Sequence, residues 1–188
     1  MALILGIVAS GNYPRVTSSY ESIARVSLTG TQSSIEFTSI PSTYTHLQVR
    51  LMVRSDRSAV VADSLQLQFN SDTGSNYDDH YLTGDGATAS ASADTTVTNI
   101  GLYRIAGAGA TSSVFGVSVI DVLDYKNTNK YKTIRALTGI DNNGSGRISL
   151  GSGLWRSTSA ISSLKLFPNS GSSSFVQYST AALYGIKG

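Results

Sequence analysis

The chain has 188 residues, no cysteine, and a formal net charge of +2 from 14 basic and 12 acidic side chains. Disulfides and thiolate metal sites are thereby excluded, and the basic excess is too small for the positive stripe that nucleic-acid binding needs. Charged residues make up 14% of the chain, against roughly 25% in ordinary soluble domains, while Ser and Thr supply about a quarter; such a hydroxyl-rich surface desolvates at low cost against copies of itself.

The sequence opens on an apolar run containing Leu3, Ile4, Leu5, Ile7 and Val8. The run lacks a basic leader and falls far short of the about twenty residues that cross a bilayer. With a break at Gly11 to Pro14, the expectation is an N-terminal arm over 1–14 and one domain over 15–188. The arm would dock on a neighbouring subunit or a capsid; a first strand is the plainer alternative. No membrane partner is expected.

From there on, period-two alternation recurs and no segment sustains a helical period. Tyr20, Ala24, Val26 and Leu28 share one face of a strand, and Ile35 with Phe37 begins the expected hairpin partner, which Pro41 ends. Between Thr45 and Arg54, residues Leu47, Val49, Leu51 and Val53 point one way and His46, Gln48, Arg50, Met52 and Arg54 the other. Leu65, Leu67 and Phe69 repeat the pattern, and together with the preceding set they are expected on one inner face.

The stretch from Gly84 to Ala110 is rich in Gly, Ala and Ser and predicts exposed loops around one weak strand at Val97 to Arg104. Val114 to Leu123 is apolar at nearly every position, as expected of a central strand covered on both faces. Further strands are predicted at Tyr131 to Ile140, Arg147 to Leu150, Ile161 to Phe167 and Phe175 to Ile186, with a turn at Asp141 to Gly146. The fold class predicted is all-β, an antiparallel two-sheet sandwich, jelly-roll-like, of roughly nine or ten strands.

Candidate chemistry is thin. Asp72, Asp78, Asp79 and His80 cluster with Asn and Gly, but the spacing lacks the register of a calcium loop and reads better as turn chemistry than as a metal site. His46 and His80 are the two histidines, no nucleophile elbow occurs, and the two glutamates, Glu21 and Glu36, give little basis for a glycosidase pair. Asp124 to Lys130 predicts an Asx-type hairpin loop, with a binding loop as the alternative. No catalytic residue, metal or cofactor is expected. The ten tyrosines and Trp155 suit core packing, self-association or sugar stacking alike.

Several stretches carry a resemblance: Phe37 to Arg50, Phe69 to Tyr77, Ile120 to Arg135, Ser152 to Ile161, and Phe175 to Gly188. Over these the chain, from about Tyr20 onward, resembles a group of small structural proteins of tailed bacteriophages. The resemblance implies a non-enzymatic virion component on the particle exterior, foremost a capsid decoration or cement protein. The alternative is a tail-tip or fibre module that adheres to a host surface glycan or receptor. Expected partners are other copies of the chain, in a trimer, and the major capsid protein or another virion protein.

Overall fold

The computed structural model describes residues 19–168 and 173–188. The anchoring residues Leu3, Ile4, Leu5, Ile7 and Val8 lie outside them. Among the described residues fourteen strands, numbered along the chain, form three antiparallel sheets. The largest runs, in spatial order, β1 (Tyr20–Ser27), β14 (Thr180–Ile186), β3 (His46–Val53), β10 (Gly116–Val122), β11 (Lys132–Asp141), β12 (Gly146–Trp155), β6 (Tyr77–Gly84) and β7 (Ala89–Val97). The second runs β2 (Ile35–Phe37), β13 (Leu164–Pro168), β5 (Leu65–Phe69) and β8 (Ile100–Gly101), and β4 (Ala62–Asp63) pairs with β9 (Ile105–Ala106).

The two main sheets share one core. Leu47, Val49, Leu51 and Val53 of β3, Ile120 and Val122 of β10, Ile134 of β11 and Leu183 of β14 meet Ile35 and Phe37 of β2, Leu65, Leu67 and Phe69 of β5, and Leu164 and Leu166 of β13. Alternation decides this: each strand presents one apolar face, and two such faces bury each other. The predicted inner set is buried throughout, but it is split between opposed sheets, with β3 on one side and β5 on the other. Phe69 meets Trp155 across the interior, ring centroids 5.6 Å apart.

Three expectations are corrected. Ile35 to Phe37 is not the hairpin partner of β1; it pairs with β13, and β1 pairs with β14, because the segment between them crosses from one sheet to the other. In the Gly84 to Ala110 region the long strand is β7, not Val97 to Arg104, and Ile100, Leu102, Ile105 and Ala106 are buried rather than looped in solvent. Small side chains with little local β-preference form β7 because the β6 edge offers it a regular ladder from Ala89 to Asp94, broken by a bulge before Val97. Finally, β10 is central but covered on one face only, since Val117 and Val119 are exposed.

The turn between β11 and β12 follows the prediction. Asn143 and Gly144 both take positive φ, 51° and 97°, the geometry that matches the twist of a two-strand ribbon and that a β-branched residue would resist. The smaller sheet ends at β8, which lies against β6 and β12, and β7 sits one strand further out, so the edge of the large sheet overhangs the smaller one.

Candidate functional site

The outer face of the large sheet is the first candidate. Register places Arg50, Val119, Leu137, Leu150, Leu82 and Ala91 side by side across six strands. The adjacent rung on the same face holds Met52, Val117, Gly139, Ile148, Gly84 and Ala89. Met52, Leu82, Val117, Val119, Leu137, Ile148 and Leu150 are all exposed, with relative exposures of 38% to 57%. Seven half-exposed side chains of this size present on the order of 600 Å2 of apolar surface, at the upper end of what a monomer leaves in water.

A polar rail borders the stripe. In the next rung Gln48 Nε2 donates to Asp121 Oδ1 at 2.8 Å, and Arg135 Nη2 donates to Asp121 Oδ2 at 2.8 Å. Arg50 Nε in turn donates to Gln48 Oε1 at 2.8 Å. An apolar centre flanked by satisfied polar groups is the anatomy of a protein contact surface. At one end of the stripe the tips of two hairpins and Phe115 enclose a trough of about 750 Å3 that Val117, Ile148 and Arg147 also line.

The second candidate is a cleft of about 420 Å3 under the overhang, lined by Asp79, Asp94, Val97, Asn99, Gly101, Gln66 and Tyr103. Asp79 on β6 lies directly opposite Asp94 on β7. Its Oδ2 accepts the Gly101 amide hydrogen at 2.8 Å, while Oδ1 has no partner although the residue is 2% exposed. Burial pushes the Asp79 carboxyl up to about 6, the Gly101 amide opposing the shift and the Asp94 charge adding to it. The Tyr103 hydroxyl donates to Asp94 Oδ2 at 2.6 Å, and the Tyr103 ring packs on Tyr81 with centroids 3.9 Å apart. Glycine at 101 permits that ring position, because a Cβ there would stand 2.8 Å from the Tyr103 ring atoms.

The residues singled out by sequence are dispersed. Asp72 closes its own turn, accepting from Gly74 N at 2.9 Å and from the Trp155 indole at 2.7 Å. Asp78 pairs with Arg156, whose guanidinium holds the carboxyl below the usual carboxylate range. Asp79 points inward and His80 outward, and among the described residues no group of three or more acidic or histidine side chains is arranged to hold a metal. His46 Nδ1 accepts the Asp124 amide hydrogen at 2.9 Å. His80 faces Ser152 across the ladder, but no hydrogen bond joins their side chains. Asp124 to Lys130 closes as a hairpin loop through Asn127 N to Asp124 O at 2.9 Å and a Lys130 to Asp124 ion pair.

Three polar anchors were not foreseen. Lys132 is fully buried, and its ammonium donates to the carbonyls of Asn127, Lys130 and Thr158 at 2.6, 3.0 and 3.2 Å; burial draws its pKa down. Arg54 donates to four carbonyls, those of Ala108, Ala110, Thr111 and Val114, and so fixes the Ala-rich loop. Buried Asp63 accepts from Ser55, Arg57, Ser173 and the Ser64 amide. Arg54 depends wholly on a distant segment, and Lys132 and Asp63 each combine local partners with one distant one, Thr158 and Ser173; the position of Lys132 on the inward face of alternating β11 was the available signal.

Against known protein families, curated proteins and solved structures, the chain gives no match.

Proposed function

We propose that this chain is a non-enzymatic structural subunit of a bacteriophage virion, acting as a symmetric homo-oligomer, a trimer, that coats and reinforces the capsid exterior. The observation that carries the assembly reading is the exposed two-rung apolar stripe on β3, β10, β11, β12 and β6. Its occupant is a second copy of the chain. A stable contact buries about 800 Å2 per partner, which the apolar stripe with its polar rail and the small side chains of β7 can supply. The nine-residue β7 edge, with Asp94 as its one charge, carries no lysine or proline, and its one bulge lies at the Asp94 to Val97 end, which leaves the regular stretch from Ala89 to Asp94 open to edge-to-edge pairing.

Two further observations support placement in a virion. One is the sequence resemblance to small phage structural proteins. The other is strand order: β1, β14, β3 and β10 run side by side opposite β2, β13, β5 and β8, and the chain alternates between these quartets from β1 to β2, β3 to β5, β8 to β10 and β13 to β14. We read this order as supporting a jelly-roll connectivity, with hairpins inserted after β5 and after β10, and jelly rolls are frequent in capsid proteins. Attachment to the capsid is assigned to the apolar residues Leu3 to Val8 on sequence grounds.

Because the chain lacks cysteine, a single Leu150→Cys substitution tests the contact surface. Under mild oxidation it should give a disulfide-linked pair of chains, whereas Lys165→Cys, on the opposite sheet, should not. A Leu150→Cys protein that stays unlinked at high concentration overturns the proposed face. Capsid placement is tested by immunolabelling particles of the encoding phage: label over the head supports it, label on the tail overturns the capsid assignment, and label on no particle overturns virion placement altogether.

A further inference from the structure

We propose that β7 pairs antiparallel with the β7 of a second copy, about a two-fold axis at Ala91, so that the large sheets of two chains run on as one. The inference deepens the assembly reading and rests on it for the occupant, and it names a contact separate from the apolar outer face.

Backbone hydrogen bonds fix which way each group of β7 points. In the hairpin that joins β6 to β7, Asp85 N donates to Thr88 O at 3.2 Å, and the ladder runs on in the same register. Bonded pairs in an antiparallel ladder alternate, so Thr83 bonds with Ser90, Tyr81 with Ser92 and Asp79 with Asp94. The far side of β6 agrees: Arg156 N donates to Asn76 O at 2.8 Å, which assigns the backbone of Asp78, His80 and Leu82 to β12. Ala89, Ala91 and Ala93 therefore aim N–H and C=O away from β6. Since β7 ends the sheet, no strand among the described residues meets them, and such a row of unpaired groups is a template for another strand.

The occupant follows from self-complementarity. The antiparallel register that joins all three alanines sets Ala91 against Ala91 of the second copy and Ala89 against its Ala93. Ser90 then faces Ser92 of the second copy, a pairing that hydroxyls support. Asp94, the one charge of the strand, meets Thr88 rather than its own counterpart, and the side chains from Ala89 to Asp94 are all exposed. Ala91 also ends the apolar row of Val119, Leu137, Leu150 and Leu82, so the two-fold carries that row from one chain into the next without a polar break. The opposite edge strand differs: β1 has Glu21, Arg25 and a bulge between Ser22 and Ala24, devices that discourage pairing. The β7 contact is small, well under the about 800 Å2 per partner of a stable complex. It links copies already side by side and adds avidity to the outer-face contact.

The test is oxidative cross-linking of single-cysteine variants, read on non-reducing gels, since the native chain has no cysteine. Ala91→Cys should give linked pairs, because bonded positions in such a ladder lie about 5.5 Å apart, within the Cα range of a disulfide. Ala89→Cys and Ala93→Cys should each stay unlinked alone, about 14 Å from their own counterparts, and should link when mixed. Adding Ala91→Pro to both, which removes the outward N–H and spares the β6 ladder, should abolish that mixed link. Equal linking at all three positions alone, or a mixed link that survives Ala91→Pro, overturns the proposal. So does an unlinked Ala91→Cys under conditions that link Leu150→Cys, a result that leaves the outer-face contact standing. Linked Ala91→Cys with unlinked Leu150→Cys supports the edge contact and overturns the outer face, and no link at either position overturns both.

Discussion

The Trp155 indole nitrogen donates to Asp72 Oδ2 at 2.7 Å. This bond joins the end of β12 to the loop that leads from β5 into β6. The same ring stacks on Tyr77 at 6.4 Å, and Tyr77 in turn accepts the Phe69 amide hydrogen through its hydroxyl at 3.1 Å. One indole therefore ties the added hairpins to the core of the sandwich.

From that arrangement, Trp155→Phe should lower stability by about 2 to 4 kcal/mol, combining lost ring area with the loss of one of the two donors to Asp72 Oδ2, the other being Asn76. Asp72→Asn, which keeps an acceptor, should cost less than Trp155→Phe. Urea unfolding of the two variants checks the order, and equal losses would remove the indole bond from the account.

Leu51 on β3 is 4% exposed and faces the opposed sheet. Leu51→Ala should destabilise by about 2 to 5 kcal/mol, whereas Met52→Ala, one residue on and on the outer face, should cost under about 0.5 kcal/mol in a dissociated sample. Equal effects at both positions, measured by denaturant midpoint, would contradict the register.

Lys132 has three carbonyl partners and no access to water. Lys132→Met keeps the length and removes the donors, leaving carbonyls unpaired, and should cost about 1 to 3 kcal/mol. Thermal unfolding of the variant checks this. A neutral result would mean that the loops at Asn127 and Thr158 rearrange to satisfy themselves.

Asp79 gives the pH prediction. Its carboxyl is raised to about 6 in the fold from about 3.9 in an unfolded chain, so between these values the folded state binds the extra proton. Stability from this group is full below about pH 4 and declines as pH rises through about 6. The difference in melting temperature between the native chain and Asp79→Asn, followed from pH 4 to pH 7, should therefore move against the native chain as pH rises. A difference that is flat with pH would show that Asp79 is ionised without penalty.

Alternation made much of this fold legible. The inner residues of β3 and β5 could be read directly because each strand is half buried, and the β11–β12 turn because Asn143 and Gly144 announce their dihedrals. Pairing was not legible: nothing local tells Ile35 to seek Leu166 rather than Val26, since both offers are apolar and only the closing of the second sheet decides. The continuous apolar run around Val117 misled for a related reason. It signals that both faces avoid water, and one of those faces has no cover among the described residues. Of the acidic cluster, sequence showed the residues but not that alternation sends Asp79 inward, away from Asp78 and His80, to meet Asp94. That meeting depends on a β7 ladder that the small, polar composition of Ala89 to Val97 concealed.

The central claim is that the outer face of the large sheet is buried between copies, and sedimentation velocity of the full chain beside a Leu137→Glu, Leu150→Glu variant tests it most directly. Both positions are about half exposed, so the two charges leave the fold intact while placing unpaired carboxylates in any apolar contact. The account predicts a trimer for the native chain and a folded monomer for the variant. A native dimer lost in the variant would keep the face and contradict the threefold order; a native chain that sediments as a monomer at every concentration, or a variant that assembles as the native chain does, would contradict the claim itself.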